Sequence, residues 1–208
     1  MKNCCEGKSD ELVRLHGRQL GVLKIVLAIN LVMFFVEIIS GILARSTALS
    51  ADSLDMLGDA TVYAFSIYAI HKGELWKLRA ARLKGYLMTL FGLGVLAEAV
   101  RKALAGTVPN SETMGIIGVL ALAANLVCLA LLFRHKADDI NMRSTWICSR
   151  NDIIANVSVL IATGLVALTG SGLPDLVVGS CIALMFLSSA VGVLRDARAS
   201  LADRALTS

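Results

Sequence analysis

The run Ser50-Ala51-Asp52-Ser53-Leu54-Asp55-Met56-Leu57-Gly58-Asp59 places three carboxylates inside an apolar stretch that reaches from about Ala48 to Ile70. Residues three, four and seven apart stack along one side of a helix, so Asp52, Asp55 and Asp59 share a face. At 1.5 Å per residue the stretch is long enough to cross a hydrocarbon core about 30 Å thick. Charge at that depth is costly, and three carboxylates cannot all stay ionised there without a cation or protons to balance them. A second polar pair, Cys148 and Asp152, repeats the four-residue spacing in another apolar stretch.

Working outward from these pairs, the chain of 208 residues is 56% hydrophobic but only 5% aromatic, with a mean hydropathy of +0.72. Six windows have the length and apolarity of membrane spans: Leu20 to Leu43, Ala48 to Ile70, Gly85 to Ala105, Gly115 to Phe133, Ile140 to Leu168 and Leu176 to Leu194. They leave almost no room for a soluble domain. The predicted fold is an all-α integral membrane protein of six transmembrane helices over residues 19–195, between an N-terminal tail (1–18) and a short C-terminal tail (196–208). The first window contains Glu37 and exceeds the length of a signal-peptide core, so it reads as a retained span.

Basic residues alternate between the two sides of such a bundle. Lys2, Lys8, Arg14, Arg18 and Lys24 flank the first span, Lys72, Lys77, Arg79, Arg82 and Lys84 follow the second, Arg134, Lys136 and Arg143 follow the fourth, and Arg195, Arg198 and Arg204 follow the sixth. The other connections hold little beyond Arg45, Arg101 and Lys102. By the positive-inside rule both termini are cytoplasmic. Bases at membrane edges, instead of along one face, exclude nucleic acid as a partner.

Of the five cysteines, Cys128 and Cys181 fall in the middle of apolar windows and read as packing residues. Cys4 and Cys5, with Glu6 and His16 nearby, make a candidate for capturing a soft metal ion on a cytoplasmic tail, where disulfides are disfavoured. An idle tail is the alternative. His71 and His135, among bases at span ends, read as interfacial groups, and Glu98 with Arg101 and Lys102 as a self-neutralising helix end.

The polar pairs lie three spans apart, which suggests two three-helix halves of opposite topology with a site where they meet. Geometry then constrains the fifth helix. Counted from the outer edge, Asp55 and Asp59 lie about 10 to 17 Å down, and a fifth helix that began at Trp146 would hold Cys148 and Asp152 too far away. A start near Ile140, with Asp138 or Asp139 as N-cap, brings both pairs together near the midplane.

Two ligands four residues apart on one helix grip an ion from one side, and a matching pair on a neighbouring helix completes four-coordination, the arrangement zinc prefers. Asp55, Asp59, Asp152 and Cys148 offer three oxygens and one sulfur, which suits zinc, cadmium or cobalt better than magnesium or calcium. Fully ionised, the four carry four negative charges, so protons must enter as a divalent ion leaves. Asp52, Asn30, Asn156 and Glu37 are the remaining interior polar groups, read as orienting the ligands or relaying protons; pairing with Arg150 is the alternative for Glu37.

The Ser50 to Asp59 run, preceded by Asn30, Phe34, Phe35, Glu37 and Gly41, resembles the first two spans of the cation diffusion facilitator family. Asn141-Met142-Arg143-Ser144 leading into Cys148, Asp152 and Asn156 looks like its fifth span. The resemblance implies a divalent metal exporter that exchanges cytoplasmic metal for protons, usually as a homodimer, with Asp55, Asp59, Cys148 and Asp152 as its transport site and no prosthetic group. The expected residence is a bacterial inner (plasma) membrane. Two departures stand out. Zinc-handling members commonly have histidine where this chain has Cys148, and a thiolate favours softer ions such as cadmium. The family also usually appends a cytoplasmic domain after the sixth span, whereas only about fourteen residues follow Leu194 here, so dimerisation is expected through span surfaces. Two rivals remain: a membrane metal sensor that binds without transport, and a metal-dependent lipid phosphotransferase. The second needs a glycine after its second aspartate, where this chain has Met56.

Overall fold

The computed structural model describes the backbone of residues 4–69, 74–133 and 140–207, and the side chains of 20–61, 63–64, 85–133, 152–192 and 194–195. Six helices account for nearly all of it: α1 (Cys4–Leu43), α2 (Thr47–Ala69), α3 (Glu74–Ala105), α4 (Ser111–Phe133), α5 (Ile140–Thr169) and α6 (Leu173–Thr207). Each expected span falls within one helix, except that Ile70 at the end of the second lies outside the described residues, and α5 is helical from Ile140 as the depth argument requires. Asp138 and Asp139 lie outside the described residues, as do His71 and His135.

The polarity of the bundle is inverted relative to a water-soluble protein. Large apolar side chains such as Val32, Leu90, Ile116, Ile154 and Met185 are exposed, while Asn30, Glu37, Asp52, Asn125 and Asn156 are buried. Among the described residues, four stretches are long and apolar enough to cross a membrane: Leu20–Leu43, Ser111–Phe133, Asp152–Thr169 and Leu173–Gly192. The three aspartates of α2 dilute its hydropathy. α2 nevertheless occupies the centre, packed against α1, α3, α5 and α6. Its residues Ala48, Leu49, Ala51 and Leu54 join Met88, Val95, Val159, Ile182 and Phe186 in the largest core cluster.

At the base-poor end the helices are joined by three short connections. α1 closes with Ser46 N–H bonded to Gly41 C=O (2.8 Å) and Arg45 N–H to Ile42 C=O (3.2 Å), a closure that requires a left-handed residue, here Arg45 at φ 56°. Gly106 and Gly170, both at φ 61°, serve the same purpose after α3 and α5 without a Cβ penalty. The α1–α2 turn is recessed. A Cβ on Gly179 of α6 would sit 2.6 Å from the Thr47 carbonyl carbon and 2.7 Å from Ala48 N, so the first turn of α2 packs directly on the α6 backbone. Gly179 is six residues into α6, so α2 begins about 9 Å below the start of that helix.

An unforeseen group holds the turn in place. Ser46 Oγ accepts from Leu49 N–H (3.0 Å) as an ordinary N-cap. Asp175 of α6, 1% exposed, accepts from Ser46 Oγ–H (2.6 Å), Thr47 N–H (2.7 Å) and Ala48 N–H (3.0 Å). A carboxylate from one helix thus satisfies the free donors that open another, with its charge at the positive end of the α2 dipole.

Candidate metal site

Depth along the helices determines which side chains meet. With the turn recessed, Asp59 lies about 27 Å below the start of α6 and Asp152, seventeen residues before the end of α5, lies about 26 Å below it. Asp59 is deeper than the about 10 to 17 Å expected from sequence for Asp55 and Asp59, because that expectation set the start of α2 at the outer edge. The pairing itself is as expected: the Asp59 and Asp152 carboxyls are in hydrogen-bond contact, and Asp55 interacts electrostatically with both. Two carboxylates in contact repel, so the pair needs a proton or a cation to balance it.

Tyr63, one turn beyond Asp59, donates its hydroxyl to Asp59 Oδ2 at 2.5 Å. On α5, Asn156 Nδ2 donates to the Asp152 carbonyl (2.9 Å) and to Asp52 Oδ1 (3.3 Å), a second polar tie between the helices. On α1, Asn30 Nδ2 donates to Val26 C=O (2.9 Å) and to Cys128 Sγ of α4 (3.7 Å). Among the described residues, Glu37 Oε1 and Oε2, Asp52 Oδ2, Asn156 Oδ1 and Asn125 Nδ2 are buried without a partner.

Asp55, Asp59 and Asp152 are half-buried, whereas Asp52 and Glu37 are sealed. Toward the base-poor end the carboxylates are closed off by Ala48, Leu49 and Leu54, each fully buried. Among the described residues no three His, Cys, Asp or Glu side chains form a ready metal cage. The side chain of Cys148 lies outside the described residues, as do those of Cys4, Cys5, His16 and Arg150; Cys148 is on α5, and Cys4, Cys5 and His16 are on α1.

Sequence reasoning passed over two neighbours of the site. Tyr63 continues the four-residue ladder Asp55, Asp59, Tyr63, a spacing that was legible. Cys128, read as packing, does pack with Leu23, Val26, Tyr63 and Leu132, but it also interacts electrostatically with Asp59 and Asp152. Nothing in its local sequence marks it, since α4 is apolar on all sides. Cys181 is exposed on the apolar surface of α6.

A bundle of helices that is apolar outside, with carboxylates from α2 and α5 gathered inside, has the architecture of an integral membrane protein with a buried acidic site. Residues 23–74 and 76–202 match the cation efflux transmembrane domain, and the chain belongs to that family, the cation diffusion facilitators. Similar proteins include the metal cation efflux system protein CzcD of Cupriavidus metallidurans, 23% identical over 79% of this chain and 56% of the relative. The zinc transporter ZitB of Yersinia pestis is 26% identical over 84% and 60%. A cadmium, cobalt and zinc/H(+)-K(+) antiporter of Bacillus velezensis is 23% identical over 87% and 64%. The chain therefore spans between about half and two thirds of the length of these relatives. The family is one of membrane transporters, not a class of enzymes.

Proposed function

We propose that the protein exports divalent transition-metal cations, zinc, cadmium or cobalt, from the cytoplasm of a bacterial cell in exchange for protons, by alternating access across six membrane spans. The base-rich end, with both termini, faces the cytoplasm. Asp55, Asp59, Cys148 and Asp152 bind the ion, Cys4, Cys5 and His16 capture it on the cytoplasmic side, and two copies pair through their apolar span surfaces. The names of the relatives support the substrate class.

The observation that carries this reading is the contact between Asp59 and Asp152 across α2 and α5. A proton holds the two carboxyls together; a divalent ion that takes its place between the helices must displace it, and the ion leaves as protons return. Partial exposure of Asp59 and Asp152, against the sealed layer of Leu49 and Leu54, supports an opening toward the base-rich end. Tyr63 orients Asp59, and Asn156 ties the Asp152 turn of α5 to α2.

Inside-out vesicles carrying the full chain test this directly. Zinc accumulation driven by an imposed proton gradient, abolished by Asp59→Ala or Asp152→Ala with the protein still in the membrane, is the expected result. Saturable binding without accumulation supports the sensor instead, and full activity in either variant sinks the site assignment.

A further inference from the structure

Above the Asp59–Asp152 contact, toward the base-poor end, three helices bring oxygen atoms to one level. Measured from the start of α6 at 1.5 Å per residue, Asp52 lies about 17 Å down, Glu37 about 18 Å and Asn156 about 20 Å, against about 26 Å for Asp152. Asp55, at about 21 Å, lies between the two levels.

Each of the three side chains is at least 99% buried: Glu37 and Asp52 are 0% exposed and Asn156 is 1%. They are nevertheless left with four unpartnered oxygens, both from Glu37, Oδ2 of Asp52 and Oδ1 of Asn156. Asn156 is anchored on Asp52 through its Nδ2, which places its free oxygen beside that carboxylate. Glu37 interacts electrostatically with Asp52 and with Asp55, so its carboxyl belongs to the same buried acidic neighbourhood. Buried acceptors without a donor are unfavourable, and a cation among them removes the penalty.

We propose that Glu37, Asp52 and Asn156 form a second cation position, through which the divalent ion passes between the Asp55, Asp59, Cys148 and Asp152 set and the base-poor side. The inference deepens the export reading and rests on it. The chemistry gives the position a direction. A set with a thiolate holds a soft or borderline ion well, whereas two carboxylates and an amide hold it through oxygen alone and so more weakly. Asp55, within reach of both levels, hands the ion from one to the other.

The test uses the full chain with Cys4→Ser and Cys5→Ser, in lipid nanodiscs, titrated with cobalt(II) alone. Two ions per chain are expected. The first equivalent brings a thiolate-to-cobalt absorption band and the second adds none. Glu37→Gln, close in shape to the native side chain, is expected to lose the second ion and keep the banded first; Asp59→Asn loses the banded ion and keeps the other. A single banded ion, unaffected by Glu37→Gln, overturns the second position and leaves the export reading standing. Two ions that both carry the thiolate band overturn the oxygen-only position, even if Glu37→Gln fails to fold. No binding to any form overturns both readings.

Discussion

At the scale of single residues, the proposed chemistry rests on Asp59 and Cys148. Asp59 is held by Tyr63 from its own helix and met by Asp152 from α5. Tyr63→Phe leaves the ring packed with Leu23 and Leu132 but removes the donor, so about 1 kcal/mol of orienting hydrogen bond is lost. We expect zinc transport in vesicles to fall several-fold with the protein still folded; unchanged transport would show that Asp59 needs no orienting. On the proposed reading, Cys148 determines which metal is favoured. A thiolate prefers cadmium over zinc relative to imidazole, so Cys148→His should move the cadmium-to-zinc transport ratio toward zinc, read by competition between the two ions. No shift would mean that the sulfur is not a ligand. The spacing of Asp55, Asp59 and Asp152 was legible in the sequence because helical periodicity alone puts them on interior faces. Cys128 was not, because its proximity to Asp59 arises from how α4 packs beside α1 and α5.

At the scale of the element, α2 works as a carrier of carboxylates whose height must be fixed. Asp175 caps it from α6, Gly179 lets its first turn sit on the α6 backbone, and Gly41 does the same against α1, where a Cβ would lie 2.7 Å from Ser50 Oγ. Asp175→Ala leaves the hydroxyl of Ser46 and the N–H groups of Thr47 and Ala48 without their acceptor, at a cost of about 1–3 kcal/mol. The expected result is a lower midpoint of thermal unfolding in detergent together with weaker zinc affinity, since α2 loses its register against α5. Asp175→Asn, which keeps one acceptor oxygen, should recover part of both; an unaltered midpoint for Asp175→Ala would remove the cap from the account. Pro174 and Asp175 in the first turn of α6 were readable as a helix start. Their role as the cap of another helix was not, because a capping residue 129 positions away in the chain leaves no local pattern.

At the scale of the molecule, packing repeats between the two halves. The pairs α1–α2 and α2–α3 have counterparts in α4–α5 and α5–α6, while α1–α4, α2–α5 and α3–α6 join equivalent helices. The substantial α2–α6 contact has no α5–α3 counterpart of similar extent, so the recess of α2 into α6 breaks the symmetry that the polar pairs suggested. Orientation in the membrane is testable through two exposed arginines at opposite ends, Arg45 and Arg195. In a background with the native cysteines replaced by serine, a membrane-impermeant maleimide should label Arg45→Cys in intact cells and Arg195→Cys only in inside-out vesicles. With α2 to α6 between them, five crossings separate the two positions, so labelling of both from one side would overturn the six-span topology.

The sequence by itself determined the class of the protein. Apolar length required a membrane, the alternation of basic ends set the topology we propose, and the spacing of carboxylates on two helices pointed to the cation cargo we propose, all through local periodicity and the cost of buried charge. Only the tertiary structure decided how deep the carboxylates lie and which ones touch. Depth depends on where α2 begins relative to α6, and that is fixed by a glycine without a side chain and a carboxylate from another helix, contacts between residues far apart in the chain that no single stretch encodes.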